Sequence, residues 1–223
     1  MTTSWTTIDR IMASGVALDG DLTMPQHPKG LVLFARGSGS SGHNPRNQTV
    51  AEELNQRGLA TLLVDLLTAE EDEVDAQTRK LRFDIGLLAD RLVGIIDWLG
   101  EQPHTTTLPI GLFGAGIGAA AVLVAAATRR SVVRAVVCRG GRPDLAGPAL
   151  LQVTAPTLLI VGERDPHACE LNEQARNTML VSAELRIIAT ATHLFEEPGA
   201  LHQVADEAGR WFADHLTAPD ARR

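Results

Sequence analysis

The chain is poor in three things: its 223 residues hold two cysteines, two lysines and no long apolar run. The cysteines, Cys138 and Cys169, fall in different predicted elements, so a disulfide framework is not expected. No stretch with a basic start and an apolar middle opens the chain, which makes a reduced, cytoplasmic setting the expected one. Lys29 and Lys80 are the two lysines, whereas arginine is abundant. With 20 Lys and Arg against 27 Asp and Glu, the formal net charge is −7. That balance argues against nucleic-acid binding, which needs clustered cations facing phosphates. The longest apolar stretch, "AAAVLVAAA", stops at Arg129 and Arg130 and is too short for a bilayer. Zinc-ligand spacing and a P-loop are also missing. "GAGIGAA" imitates part of a dinucleotide fingerprint, but it lies mid-chain with no acid placed for a ribose. The sequence therefore predicts no metal, no cofactor, no nucleic-acid partner and no membrane contact.

What remains is the composition of an ordinary globular protein, 44% hydrophobic and 21% charged, without repeats. One α/β domain over residues 1–223 is expected, with residues 1–10 and 217–223 loose. "GVALDGDLTMP" alternates apolar and polar residues and predicts an edge hairpin turning at Asp19-Gly20. Leu31–Ala35 is a short apolar run leading into a glycine-serine loop, the pattern of a buried strand. A helix follows over 47–57 with Gly58 at its C-cap. Leu59–Leu67 is the next strand, and the acidic run 69–75 is a solvated loop and helix start. Asp84–Leu99 forms an amphipathic helix whose apolar face is Ile85, Leu88, Leu92, Ile95, Ile96 and Leu99. A strand at 108–113 and strand-then-loop units at 132–141, 155–165 and 183–193 then alternate with helices, the last an exposed C-terminal helix over 201–216 suited to pairing two copies. Such alternation predicts a mostly parallel sheet covered by helices on both faces, with ligands at the carboxyl ends of its strands.

Within this frame "GLFGAGIGAA", residues 111–120, runs from an apolar strand through a tight glycine turn into an alanine-rich helix. A nucleophile elbow, G-x-S-x-G, has this setting. At its central position stands Gly116. Asp165 then closes a strand in "GERD", and His193 follows the next strand in "THLF". Elbow, acid and histidine thus occur in the chain order used by α/β-hydrolases, where the acid orients the histidine as general base.

Five pieces carry a resemblance that runs over nearly the whole chain: "LVLFARGSGSS", "GLFGAGIGAAA", "RGGRPDLAG", "APTLLIVGERD" and "ATHLFEEPGAL". The sequence resembles the α/β-hydrolase superfamily, in particular small members without a large lid, similar to dienelactone hydrolase. The resemblance implies an α/β-hydrolase fold, activity on small esters or lactones, and an oxyanion hole from the backbone N–H groups of Ser38 and Ile117. In relatives of this kind the elbow reads G-A-S-x-G and the oxyanion loop H-G-S-G. Here Gly116 replaces the serine and Arg36 the histidine.

The elbow residue is usually held at positive φ, which costs a residue with a Cβ about 1–3 kcal/mol. Glycine removes that strain, so Gly116 favours stability while ending covalent catalysis. Three explanations stay open: a laboratory substitution in a serine or cysteine hydrolase, a natural member using His193 and Asp165 as a base on water, or a non-catalytic binding protein. Glu163 and Glu170 compete with Asp165 for the acid's place. Cys138 is weighed as a substitute nucleophile and set below a packing role; Cys169 is expected to pack on its helix, and the "GSGSS" hydroxyls rank below water. Arg36 and Arg139, with Arg46 nearby, are the candidate substrate-binding residues, suited to a small ligand bearing a carboxylate or phosphate. The sequence leaves monomer and homodimer equally open.

Overall fold

The computed structural model describes residues 5–36 and 45–216. Strands β1 (Trp5–Ala13), β2 (Val16–Met24), β3 (Leu31–Arg36), β4 (Ala60–Asp65), β5 (Ile110–Ala115), β6 (Val133–Arg139), β7 (Thr157–Gly162) and β8 (Ala183–Ile188) form one sheet in the order β1-β2-β4-β3-β5-β6-β7-β8. β1 and β2 pair antiparallel, as do β2 and β4, and every other pair is parallel. The central strands are uninterrupted apolar runs because both of their faces are covered. Leu31–Ala35 and Leu158–Val161 are almost wholly buried. The chain steps from β3 to β4 on one side and returns to β5 on the other. The carboxyl ends of β3 and β5 therefore flank the point where strand order reverses, the usual place for a ligand in an open α/β sheet.

Among the described residues the helices are α1 (Pro45–Gln56), α2 (Ala69–Thr78), α3 (Ile85–Glu101), α4 (Gly118–Thr128), α5 (Pro166–Thr178) and α6 (Ala200–His215). On one face α3 buries Leu88, Leu92, Ile95, Ile96 and Leu99, together with α4 and the 3₁₀ turns of Pro143–Gln152. α4 lies between these neighbours and is apolar almost all round, as a helix enclosed on several sides must be. On the other face α1 and α6 pack over Phe34, Phe113, Val137 and Ile160, with Phe212 fully buried. The C-terminal helix is therefore not exposed along its apolar stripe as expected: Val204, Ala208, Trp211 and Phe212 turn that stripe onto the sheet.

Two local expectations are corrected. Asp19-Gly20 is not a turn, because Val16–Met24 is one strand and the turn sits at Ser14 and Gly15, both at positive φ (49° and 80°). Gly20 is instead a close-packing position: a Cβ there would come within 2.9 Å of Ile11 Cδ1. Residues 5–10 are also not loose, since they pair with β2 from Trp5 opposite Met24 to Arg10 opposite Asp19. Residues 217–223 lie outside the described residues.

The acidic run forms a capped helix. Thr68 accepts from the Glu71 N–H while Glu71 accepts from the Thr68 N–H, a capping box that starts α2. Glu71 also receives buried Arg91 of α3 in a two-pronged contact at 2.5 and 2.6 Å, and Arg91 donates to the Leu66 carbonyl. The Arg91 guanidinium holds the Glu71 carboxyl below its usual range, chiefly through these hydrogen bonds.

Candidate active site

β5 ends at Ala115, and the backbone turns at once through Gly116 (φ 55°) into Ile117 and α4. So sharp a turn brings strand and helix backbones into contact, and small residues let it close. A Cβ on Gly114 would lie 2.6 Å from the Gly118 carbonyl oxygen and 2.8 Å from Ala119 Cα. A Cβ on Gly116 would meet no described heavy atom within 4 Å. Among the described residues the turn is tight where strand meets helix and open at its tip. The left-handed backbone at that point suits glycine.

The Gly116 peptide is fixed on both sides. Its N–H donates to the Arg139 carbonyl at 3.3 Å, and its carbonyl accepts from Ala119 at 3.3 Å and Arg142 at 3.0 Å. In a trans peptide the N–H of the following residue points opposite to the carbonyl. Anchoring the Gly116 carbonyl among those donors thus aims the Ile117 N–H away from them.

Asp165 sits at the N-cap of α5, where Pro166 begins the helix. One carboxylate oxygen accepts from the Ala168 N–H at 3.1 Å, and the other lies 2.7 Å from His193 Nδ1. The carboxylate is 17% exposed and the imidazole 55%. A carboxylate accepts, so in this contact Nδ1 is the imidazole's donor. The two rival acids are engaged elsewhere: Glu163 accepts from the Thr190 N–H at 2.7 Å, and Glu170 from Gln174.

The loop that carries His193 is held firmly. Thr190 and Phe195 take left-handed backbone (φ 61° and 57°), which a residue with a Cβ adopts only under constraint. Glu163 supplies that constraint at Thr190, the Arg164 N–H donates to the Ala191 carbonyl, and the Phe195 ring is buried. Gly162 at the end of β7 presses on the same loop: a Cβ there would sit 2.4 Å from the Ala191 oxygen and 2.6 Å from that of Thr192.

Gly140 and Gly141 lie between the elbow and the histidine. A Cβ on Gly140 would come 3.8 Å from His193 Cε1, and one on Gly141 3.7 Å from the Gly116 oxygen. Buried Asn172 of α5 ties this segment down by donating to the Gly141 carbonyl at 3.0 Å. The sequence reading missed Asn172. Its signal is a polar residue on the buried stripe Ala168, Asn172, Ala175 of α5.

Of the remaining candidates, Cys138 is buried with its sulfur facing the Ala119 carbonyl, and burial pushes its thiol well up, against a nucleophile's role. Cys169 is half-buried and also raised, first by desolvation and then by Asp165. The Arg36 backbone ends β3 opposite Asp65; its side chain, Ser38 and the "GSGSS" hydroxyls lie outside the described residues. Arg139 ends β6 and is buried, and Arg46 stands in the first turn of α1, bonded to Glu196 at 2.5 Å. Among the described residues no group of three or more metal-ligating side chains forms, and no helix is long and apolar enough to cross a membrane.

Residues 18–215 match the family model of the dienelactone hydrolase family. A crystal structure of dienelactone hydrolase from Anabaena variabilis is 55% identical, with a TM-score of 0.93 over 96% of this chain and 99% of that one. Est1E from Butyrivibrio proteoclasticus shares the fold at 17% identity and a TM-score of 0.76, covering 93% of this chain and 98% of its own. Two Mycobacterium tuberculosis proteins bearing the provisional name phosphoribosyl transferase are 54% identical over 210 residues, 94% of this chain. This chain spans about half the length of those curated relatives, 46% of each.

Proposed function

The chain belongs to the dienelactone hydrolase family, and from that premise we propose that it hydrolyses small esters or lactones by general-base attack of water, with His193 as the base and Asp165 as its orienting acid. The observation that carries this reading is the 2.7 Å contact between His193 Nδ1 and Asp165 Oδ2, beside an elbow whose tip is open at Gly116. Water over Gly116 gives a proton to His193 Nε2 as its oxygen bonds to the substrate carbonyl carbon. The carbonyl oxygen becomes an oxyanion, stabilised by the Ile117 N–H and, following the family resemblance, by that of Ser38. Collapse breaks the bond to the leaving alkoxide, which takes the proton back from the imidazole. No acyl-enzyme forms, because Gly116 has no hydroxyl to acylate.

Magnitudes set the expected rate. Loss of a triad nucleophile costs about 10⁴ to 10⁶, while oxyanion stabilisation and binding retain roughly 10³ over water. A positioned general base adds on the order of 10² to 10⁴. The protein is thus a slow hydrolase rather than an inert one. The transferase name of the mycobacterial relatives describes proteins about twice as long and forms no part of this reading.

A panel of p-nitrophenyl esters and lactones tests it. Slow turnover without a burst, lost in His193→Ala, is the expected result; turnover that His193→Ala leaves unchanged overturns it. A second reading, a binding protein that kept the pocket, is favoured by the same glycine, since φ 55° suits a residue without a Cβ. That reading predicts no turnover in either form.

A further inference from the structure

β8 ends the sheet, and its free edge lacks the devices that keep such edges apart. The strand Ala183–Ile188 contains no proline, and its register with β7 runs unbroken from Ala183 opposite Thr157 to Ile188 opposite Gly162. A straight, regular edge of this kind is a template for another strand. Ile187 lies on it, 55% exposed. Among the described residues no strand pairs with that side of β8.

The main chain shows which groups are on offer. The Thr157 N–H donates to the Ser182 carbonyl and the Glu163 N–H to that of Ile188, so the even-numbered residues turn their polar groups toward β7. Main-chain groups alternate in direction along a strand, and those of Ala183, Leu185 and Ile187 therefore point outward. Side chains alternate as well. Ala183 and Leu185 pack toward the α5 layer, and Ile187 shares their face. Glu184 and Arg186 lie on the other face, where Arg186 bonds Glu184 at 2.6 Å and Glu207 of α6 at 3.4 Å.

We propose that the protein forms a homodimer in which two β8 edges pair antiparallel, joining the two sheets into one. A two-fold axis normal to the sheet reverses the strand direction and leaves each face on its own side. Centred on Leu185, it sets Leu185 against Leu185 and Ala183 against Ile187, all residues whose main-chain groups point outward. These are the hydrogen-bonded pairs of an antiparallel ladder. The same axis sets Glu184 of each copy opposite Arg186 of the other. Moving the axis by one residue would oppose Glu184 to Glu184, or Arg186 to Arg186, so charge selects the register. On the α5 side each exposed Ile187 comes to rest over the small Ala183 of the second copy, and the apolar row runs on across the axis. Main-chain bonds and this cover hold the pair, since exposed ion pairs add little. The contact is independent of the chemistry at Gly116.

Sedimentation velocity and light scattering on the full chain over a concentration series test the dimer. A concentration-dependent dimer is expected, shifted toward monomer by Ile187→Lys, which changes an exposed side chain and should leave the melting temperature nearly unaltered. Glu184→Arg and Arg186→Glu should each weaken self-association by roughly 10-fold, because every facing charge pair becomes a like pair. An equimolar mixture of those two variants should dimerise at least as tightly as the unaltered chain, since all facing pairs are then unlike; that recovery also shows that both variants fold. The proposal falls if the unaltered chain stays monomeric at every concentration. It falls equally if a dimer forms that Ile187→Lys does not weaken, or if the mixture associates no better than its separate components.

Discussion

His193 hangs on Asp165: Nδ1 and Oδ2 are 2.7 Å apart, while the other carboxylate oxygen caps α5 at the Ala168 N–H. One side chain thus holds the imidazole and caps a helix. The two roles separate by substitution. Asp165→Asn keeps a good N-cap but no longer enforces the tautomer that leaves Nε2 unprotonated. Hydrolytic rate should fall by on the order of 10³- to 10⁴-fold with the melting temperature nearly unchanged. Asp165→Ala should add about 1 kcal/mol of destabilisation. Ester kinetics and denaturant unfolding on both variants check this.

Restoring the hydroxyl at the elbow is sterically open and conformationally costly. Gly116→Ser finds no described atom within 4 Å of its Cβ, yet it must hold φ near 55°. The expected outcome is a loss of about 1–3 kcal/mol together with a burst of p-nitrophenol from acylation. Gly116→Ala should show the same stability loss and no burst. Rapid-mixing kinetics beside chemical denaturation separates the two effects.

Gly162→Ala tests whether the His193 loop is positioned by the strand beneath it. The new methyl meets the Ala191 and Thr192 carbonyl oxygens at 2.4 and 2.6 Å, and backbone cannot yield as a flexible side chain does. Overpacking should cost about 1–3 kcal/mol. The His193-dependent rate should fall with it. A variant as active as the unaltered chain would show that the loop relaxes freely.

The Arg91–Glu71 contact gives a pH signature. Glu71 is lowered in the folded state, mainly by its hydrogen bonds to Arg91, from an ordinary value of 4.5. Its stabilisation is therefore complete above about pH 4.5 and is lost as pH falls through the lower folded value. Glu71→Gln should flatten that part of the acid-side stability curve. It should also cost roughly 3–5 kcal/mol at neutral pH by leaving buried Arg91 without its counter-charge. Urea midpoints at several pH values measure both.

Much of the architecture was legible because it is encoded locally. The apolar face of α3 follows from helical periodicity, and the unbroken runs of β3 and β7 from burial on both faces. The order of elbow, acid and histidine pointed to a catalytic edge of the sheet. Where the reading failed, distant packing was the cause. Gly20 resembles a turn glycine until Ile11 is seen pressing on it. α6 looks free until Phe212 is seen buried against the sheet. Asn172 is one polar letter in a helix until the Gly141 carbonyl is found at its side chain.

The sequence alone determined that the turn at Gly116 carries no hydroxyl, since that depends only on which atoms the chain contains. It also determined which loops leave the sheet at one edge, because strand and helix periods are short-range properties. Only the tertiary structure decided that Asp165 rather than Glu163 or Glu170 receives His193, and that Arg139 is buried with an unpaired nitrogen. Both depend on how strands far apart in sequence are brought side by side, and hydrogen bonding and desolvation act over a few ångströms of space, whatever the separation along the chain.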